Sequence, residues 1–357
     1  MTETPRVLVS GGAGFIGCPL TTRLLEEGYD VFALDCLHEQ VHQAPGRPRR
    51  LPEAVVLLPG DVTRCGDVEA ALRLARPEVL VHLAAETGTG QSLTAAALHA
   101  NVNVTGTAHL LDGLARSGLV EHVVLASSRA VYGEGSWTGA AGPFSPELRT
   151  RHQLERAQWE PVSPDGSPAT PLPSRAGTTE PRPASIYAAT KLAQEHLAGA
   201  WAAGHGIPLS VLRLQNVFGP GQSLSNPYSG VAVLFAATAL RGEAIDVYED
   251  GGILRDFVFV DDAVQALVAA VERPPVARRT LDIGSGATTR LVDLARHVAA
   301  RCDAPEPVVS GRFRPGDVRA ASCDISAAAE HLDYQPTWTL ERGVDALLAW
   351  VQAAAVR

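Results

Sequence analysis

The chain has 357 residues, 46% of them apolar and 19% charged, with a formal net charge of −9. That is enough apolar chain for one large α/β domain or two smaller ones and leaves no case for general disorder, while the acidic balance argues against a general nucleic-acid binder. Five cysteines (Cys18, Cys36, Cys65, Cys302, Cys323) form no Cys-x-x-Cys pair and no apolar run nears twenty residues, so free thiols, a cytoplasmic location and no membrane partner are expected.

In chain order, 6–10 (RVLVS), 30–35 (DVFALD), 54–61 (AVVLLPGD), 79–85 (VLVHLAA), 122–128 (HVVLASS) and 209–216 (LSVLRLQN) are nearly continuous apolar runs. That is the pattern of strands buried on both faces of a parallel sheet. Helical stretches such as 18–27 and 67–75 lie between them, and repeated β-then-α units predict a doubly wound sheet with right-handed crossovers. After Asn216 the rhythm breaks at a turn-rich loop, 219–230 (GPGQSLSNPYSG). Helices are expected at 261–271 and 288–301, with a last one ending in ALLAWVQAAA. The expected division is a first domain of 1–216 plus 256–302 and a smaller lobe of 217–255 and 303–357. A proline- and glycine-rich insertion at about 134–183 shows little periodicity beyond ELRTRHQLERAQW. Loops of that length are uncommon inside a domain and leave decoration, a lid and a subunit contact as open readings.

Gly11, Gly14 and Gly17 follow the first strand directly and open a helix. Glycine permits the tight turn and a close approach to a pyrophosphate, and the helix N-terminus supplies N–H donors. A glycine triplet alone is weak evidence, but strand, turn and helix come in the required order. Asp35 ends the second strand about twenty residues on. A carboxylate there accepts from both adenosine ribose hydroxyls and repels a 2′-phosphate, so it favours NAD over NADP. Asp61, after the third run, reads either as an adenine contact or as a helix N-cap. His82 reads as a packed core histidine, and RPRR at 47–50 as an exposed loop.

Of the 30 lysines and arginines, one alone is lysine: Lys191, in SIYAATKLAQE, four residues after Tyr187. On a helix such residues sit one above the other, so the ammonium could stand beside the phenol and favour its ionisation. The bland alternative is a solvated lysine on an exposed face.

With GGAGFIG, HLAAE, SSRAVYG, YAATK and RDFVFVDD in this order, the chain resembles the extended short-chain dehydrogenase/reductase family, and more narrowly its nucleotide-sugar 4-epimerase and 4,6-dehydratase branch. The resemblance implies a Rossmann domain with a smaller C-terminal substrate-binding lobe. It implies NAD held by Gly11, Gly14, Phe15, Ile16, Gly17, Asp35, Asp61, Val62, Leu83, Ala84, Ala85, Tyr187, Lys191 and Gln215. Tyr187 would be the acid/base on a sugar hydroxyl, Ser128 would hydrogen-bond the reacting oxygen, and Lys191 would hold the nicotinamide ribose and lower the Tyr187 pKa. Ser127 would face cofactor or backbone, and Asn103 would be structural. Ser128, Asn216, Arg255 and Arg314 would meet the substrate, a nucleotide-diphosphate sugar, with both arginines on the diphosphate.

Two departures from the family pattern matter. Dehydratases follow the catalytic hydroxyl with Asp-Glu, whereas Arg129 and Ala130 stand here, so elimination lacks its proton donor and acceptor. The missing glutamate also counts against a decarboxylase. The gap from Ser128 to Tyr187 is also long. Some relatives carry Cys-x-x-Cys in a similar insertion, but EPVSPDGSP has Ser163 and Gly166, so no metal is expected. The expected reaction is 4-epimerisation of a dTDP- or UDP-(deoxy)hexose through a transient 4-keto sugar, with hydride passing to NAD and back. A 4-keto-6-deoxysugar reductase or dehydrogenase is the alternative, and a dinucleotide-sensing regulator would have had no reason to keep Ser128, Tyr187 and Lys191. The resemblance also implies a homodimer formed by helices near 95–117 and 187–203.

Overall fold

The computed structural model describes residues 4–42, 46–224, 226 and 230–355, and a seven-stranded parallel sheet forms its centre. The strands are β1 (Arg6–Ser10), β2 (Asp30–Asp35), β3 (Val56–Pro59), β4 (Val79–His82), β5 (His122–Ser128), β6 (Leu209–Leu214) and β7 (Arg278–Ile283). Their order is β3-β2-β1-β4-β5-β6-β7. It reverses between β1 and β4, and ligands of such sheets bind outside the carboxyl ends of the strands at that reversal. The first six strands lie within the six expected runs, with β3, β4 and β6 shorter. β7 has no counterpart among them, because it begins with two arginines and buries only its last three residues.

Helices cover both faces. The helices that matter here are α1 (Gly17–Glu26), α2 (Cys65–Ala75), α3 (Gly106–Ser117), α4 (Ile186–His205), α5 (Val231–Leu240), α6 (Val260–Glu272), α7 (Leu291–Arg301) and α8 (Leu340–Ala355). Alternation along β1 sorts the two layers: Leu8 packs with Leu72 of α2, Leu110 of α3 and Ala198 of α4, whereas Val7 and Val9 pack with Leu20 of α1 and Leu267 of α6. The second layer continues without a break into Phe235 of α5, Leu294 of α7 and Leu347 of α8. Among the described residues no helix is long and apolar enough to cross a membrane.

The insertion is an ordered subfold. Ser136–Gly139 pairs antiparallel with Gly142–Phe144 and Thr170–Leu172, and a short helix, Arg151–Glu155, lies between the latter two. Trp137 and Leu154 are 1% and 2% exposed. Its two ends meet at Gly133, where φ is +62° and a side chain would collide with the Arg182 carbonyl. Four buried charges fasten it to the rest of the chain. Arg149 Nε donates to Glu134 at 3.1 Å, its Nη1 reaches Glu249 at 2.9 Å, and Arg319 Nη1 reaches the same Glu249 at 3.0 Å. Arg149 also donates to the carbonyls of Trp159 and Asp317.

Removing one member of a buried ion cluster strands the others. Arg149→Met is therefore expected to lower stability by about 3–5 kcal/mol, read as a fall in the urea midpoint; a shift of under ~0.5 kcal/mol, the surface-substitution range, would contradict this account.

Candidate functional site

Two glycines make the β1–α1 turn possible. A Cβ on Gly11, whose φ is +73°, would stand 2.8 Å from the Ala84 nitrogen, and one on Gly17 would collide with the Gly11 carbonyl. Gly14 donates its N–H to Gly11 O, and Phe15 and Ile16 lead into α1, whose N-terminus has neither a side-chain cap nor an acidic residue in its first turn. Ala84 and Ala85 continue from β4 beside this turn, with the Leu83 N–H donating to Ser10 O at 2.9 Å. Asp35, 9% exposed, closes the other side: one carboxylate oxygen accepts from Ala13 N of the turn at 3.0 Å, the other from Leu37 N at 2.9 Å. His42 Nε2 is 3.6 Å from the same carboxylate. These groups fit a dinucleotide. The turn brings backbone within reach of a pyrophosphate, the uncapped helix end offers donors, and the carboxylate lies next to that turn.

Asp61 does not cap α2. Its carboxylate accepts from Thr63 N at 2.8 Å, and its own N–H donates to Asp67. Val62 is 6% exposed and packs where Gly106 leaves room for it. Gln215 is 5% exposed, with its amide near the Cys323 thiol. In the RPRR loop, Arg47 donates to the carbonyls of Pro52 and Val55, while Arg50 lies against Gly221. The turn-rich loop 219–230 falls partly outside the described residues.

The chemistry-bearing groups converge at the start of α4 and the end of β5. Ser185 caps α4, its Oγ accepting from Ala188 N at 3.2 Å, and this sets Tyr187 and Lys191 one turn apart. Ser128 Oγ accepts from Ala130 N at 3.1 Å, and the Ser128 hydroxyl lies near enough to the Tyr187 phenol to influence its ionisation. Lys191, 3% exposed, is no solvated surface lysine: Nζ donates to the Ala126 carbonyl at 2.7 Å. Burial pushes its pKa down to about 8, with Glu195 one turn on opposing that shift. Burial also raises the Tyr187 pKa, and the two groups that pull it back are the Ser128 hydroxyl and Arg129. Here the structure departs from the sequence reading, which gave that task to Lys191; the ammonium is turned to a backbone carbonyl instead.

Behind these groups lies a layer the sequence reading had not assigned. Glu195, 1% exposed, accepts from Ser127 Oγ at 2.5 Å and from Arg213 at 2.9 and 2.7 Å. Arg213 lies over the Tyr132 ring, and the Tyr132 hydroxyl donates to Asp282 on β7 at 2.8 Å. Burial pushes the Asp282 pKa up to about 6, and its carboxylate also accepts from Ala176 N of the insertion at 2.7 Å. The one available signal was Glu195's place four residues after Lys191. Asn103, in a π-helical turn ahead of α3, binds Glu86 N and O and Thr190 Oγ1, a clamping role. His82 is packed between Ser10 Oγ at 2.7 Å and Thr107 Oγ1 at 2.9 Å.

A cavity opens next to this cluster, lined by Arg129, Asn216, Tyr248, Arg255, Arg314 and Asp317. Among the described residues the buried Asn216 Oδ1 has no hydrogen-bond partner. Among the described residues Arg255 donates only to the carbonyls of Leu254 and Val318, and burial with Arg129 nearby pushes its pKa down to about 9. Arg314 stacks over Tyr248 at 5.0 Å. A buried Arg255 and an exposed Arg314, neither ion-paired to a carboxylate among the described residues, make a site for an anion. Among the described residues no group of three or more His, Cys, Asp or Glu is placed to hold a metal; Ser163, in the insertion, bonds Asp165 at 2.5 Å and the Ser167 carbonyl at 2.7 Å.

Residues 7–284 match the family model described as the NAD dependent epimerase/dehydratase family. The chain is 50% identical over 353 residues to a dTDP-L-rhamnose 4-epimerase of Burkholderia thailandensis, covering 98% of this chain and 96% of that one. A crystal structure of UDP-glucose 4-epimerase from Thermotoga maritima with UDP-glucose superposes with a TM-score of 0.80 at 28% identity, covering 98% and 99% of the two chains. One of UDP-glucose 4-epimerase from Thermus thermophilus with NAD gives 0.76 at 27% identity, with the same coverage.

Burial holds the His82 pKa down at about 3 against an ordinary 6.5, and the nearby Lys191 charge adds to this. The unfolded chain takes up a proton below pH 6.5 that the folded chain refuses. Stability from His82 is thus complete above pH 6.5 and is lost as pH falls toward 3, by the order of a few kcal/mol. His82→Gln is expected to flatten the fall in urea midpoint between pH 7.5 and 5; an unaltered slope would assign acid sensitivity to other groups.

Proposed function

Since the chain belongs to the NAD-dependent epimerase/dehydratase family, we propose that it is a nucleotide-sugar 4-epimerase acting on a dTDP-linked 6-deoxyhexose of the L-rhamnose type. The observation that carries this reading is the end-to-end 50% identity to a dTDP-L-rhamnose 4-epimerase. The cofactor is NAD, which when bound supplies the oxidant that takes a hydride from the sugar and returns it to the opposite face.

The chain's own residues do the rest. Tyr187 takes the proton from the C4 hydroxyl and later gives it back, and Ser128 holds the same oxygen. Support for this pairing is the nearness of the Ser128 hydroxyl and Arg129 to the phenol, with Arg129 lining the cavity. Lys191 keeps a positive charge behind them, and Asp35 selects the unphosphorylated ribose of NAD. The sugar must show both faces in turn, so the grip belongs on the diphosphate; Arg255 and Arg314, with Asn216, are assigned that grip because they line the cavity without carboxylate partners. The site lacks an acid pair after Ser128, which supports epimerisation over elimination.

We assign residues 1–216 and 256–302 to the NAD side and 217–255 and 303–357 to the nucleotide-sugar side. A homodimer is part of the proposal, supported by the exposure of Leu93 and Leu98, 54% and 39%, next to the expected contact helices. A cytoplasmic location is supported by five free cysteines.

Purified enzyme given dTDP-L-rhamnose without added NAD(H) is expected to reach an equilibrium mixture of C4 epimers by NMR. Turnover that stops until a reduced nicotinamide is supplied would instead assign the reductase activity. Tyr187→Phe is expected to lower kcat by about 10²–10⁴-fold while dTDP binding stays intact.

A further inference from the structure

We propose that Arg129 is a catalytic residue of this epimerisation: its guanidinium faces the cavity on the Tyr187 side of Arg255 and Arg314 and donates hydrogen bonds to an oxygen of the bound sugar. The proposal rests on the 4-epimerase reading and adds to it the residue that touches the reacting part of the substrate.

Three observations carry it. Arg129 is the residue after Ser128 at the end of β5, and it lines the cavity together with Asn216, Arg255 and Arg314. Second, its five donors have no hydrogen bond and no ion pair among the described residues. The other strongly desolvated arginines differ: Arg149, Arg213 and Arg319 each bind carboxylates bidentately or in clusters, and Arg255 is tied to two carbonyls. A half-buried guanidinium left without protein acceptors is costly, and Arg129 lines the cavity. A sugar bearing several hydroxyls, and a carbonyl partway through the reaction, supplies the missing acceptors.

Third, Arg129 is the cation that acts on the phenol. The charged and titratable groups around it are Asp317 and Glu134, which favour its charge, Arg255, which opposes it, and Tyr187 itself. Around Tyr187 the polar neighbours are Ser128 and Arg129, with the His99 ring edge-on at 6.2 Å. An arginine keeps its proton, so Arg129 is no general acid. It stabilises the negative charge shared by the phenolate and the sugar oxygen during proton transfer. The position that in dehydratases holds a proton donor here holds a group that cannot donate one, and so supports oxidation and return without elimination.

The test uses the full-length enzyme, Arg129→Met and Arg129→Lys, with dTDP-L-rhamnose as substrate and dTDP as a sugarless probe. Arg129→Met is expected to lower kcat by about 10- to 100-fold. Loss of the cation raises the phenol pKa, so the acid limb of the kcat profile should move up by about one pH unit. Affinity for dTDP, by calorimetry, should change less than about threefold, because the sugar and not the diphosphate is the partner. Arg129→Lys should return the acid limb toward its wild-type position. A Met variant with wild-type kcat and limb overturns the proposal. So does a dTDP affinity reduced tenfold or more with kcat unchanged, which would make Arg129 a third diphosphate ligand. So does a Lys variant no better than Met, which would leave only a structural role. Should the Met variant fail to fold, Arg129→Gln takes its place under the same criteria. A wild type that turns over no nucleotide sugar sinks the 4-epimerase reading and this proposal with it, whereas wild-type turnover with indifferent variants sinks the proposal alone.

Discussion

The Glu195 carboxylate is the constraint on which the reactive end of the molecule depends. It is almost fully buried and takes a hydrogen bond from Ser127 on β5 and two from Arg213 on β6. Three elements are thus joined at one point: α4, which carries Tyr187 and Lys191, and the two strands whose ends form the floor of the site. A buried carboxylate is tolerable only when paired and fully hydrogen-bonded, and the pairing is also what prevents α4 from sliding along the sheet. Lys191 gains from it twice. The same carboxylate offsets part of the desolvation of its ammonium, and the fixed helix aims Nζ at the Ala126 carbonyl.

From Arg213 the chain of contacts runs outward through the Tyr132 ring to Asp282 and then to a backbone N–H of the insertion. The cavity is organised differently. The molecule carries a net charge of −9, yet Arg129, Arg255 and Arg314 converge there with Asp246 and Asp317 as the neighbouring acids. Walls of low dielectric focus such a local positive field against the overall charge, which favours capture of an anion. Burial lowers the Arg255 pKa most and repulsion from Arg129 adds to it; that repulsion is relieved when an anion arrives.

Much of this was legible in the sequence because the signals are local. β1, β2 and β5 are uninterrupted apolar runs bounded by turn residues, and they appear at the expected positions. The glycine turn and the Tyr187–Lys191 spacing are likewise short-range patterns. β7 was not legible, since RRTLDI joins two exposed-type arginines to a buried half and gains its strand character from pairing with β6. Nor was the cation beside the phenol. Arg129 and Tyr187 are 58 positions apart by their numbers, and only the fold, with the insertion looped out between them, brings them together. The partners of Glu195 are hidden for the same reason.

That insertion remained ambiguous in the sequence for want of periodicity, and its buried ions now restrict how it can behave. Lifting it from the body would separate Arg149 from Glu249, break the Arg319 contact to Glu134, and bare each charge in a half-dry crevice. A hinged cover has to open many times per second under thermal energy, and a clasp of that kind opposes such cycling. The segment is better understood as masonry: a fixed buttress bonded to the body through Arg149, Glu134, Glu249 and Arg319 rather than a moving cover.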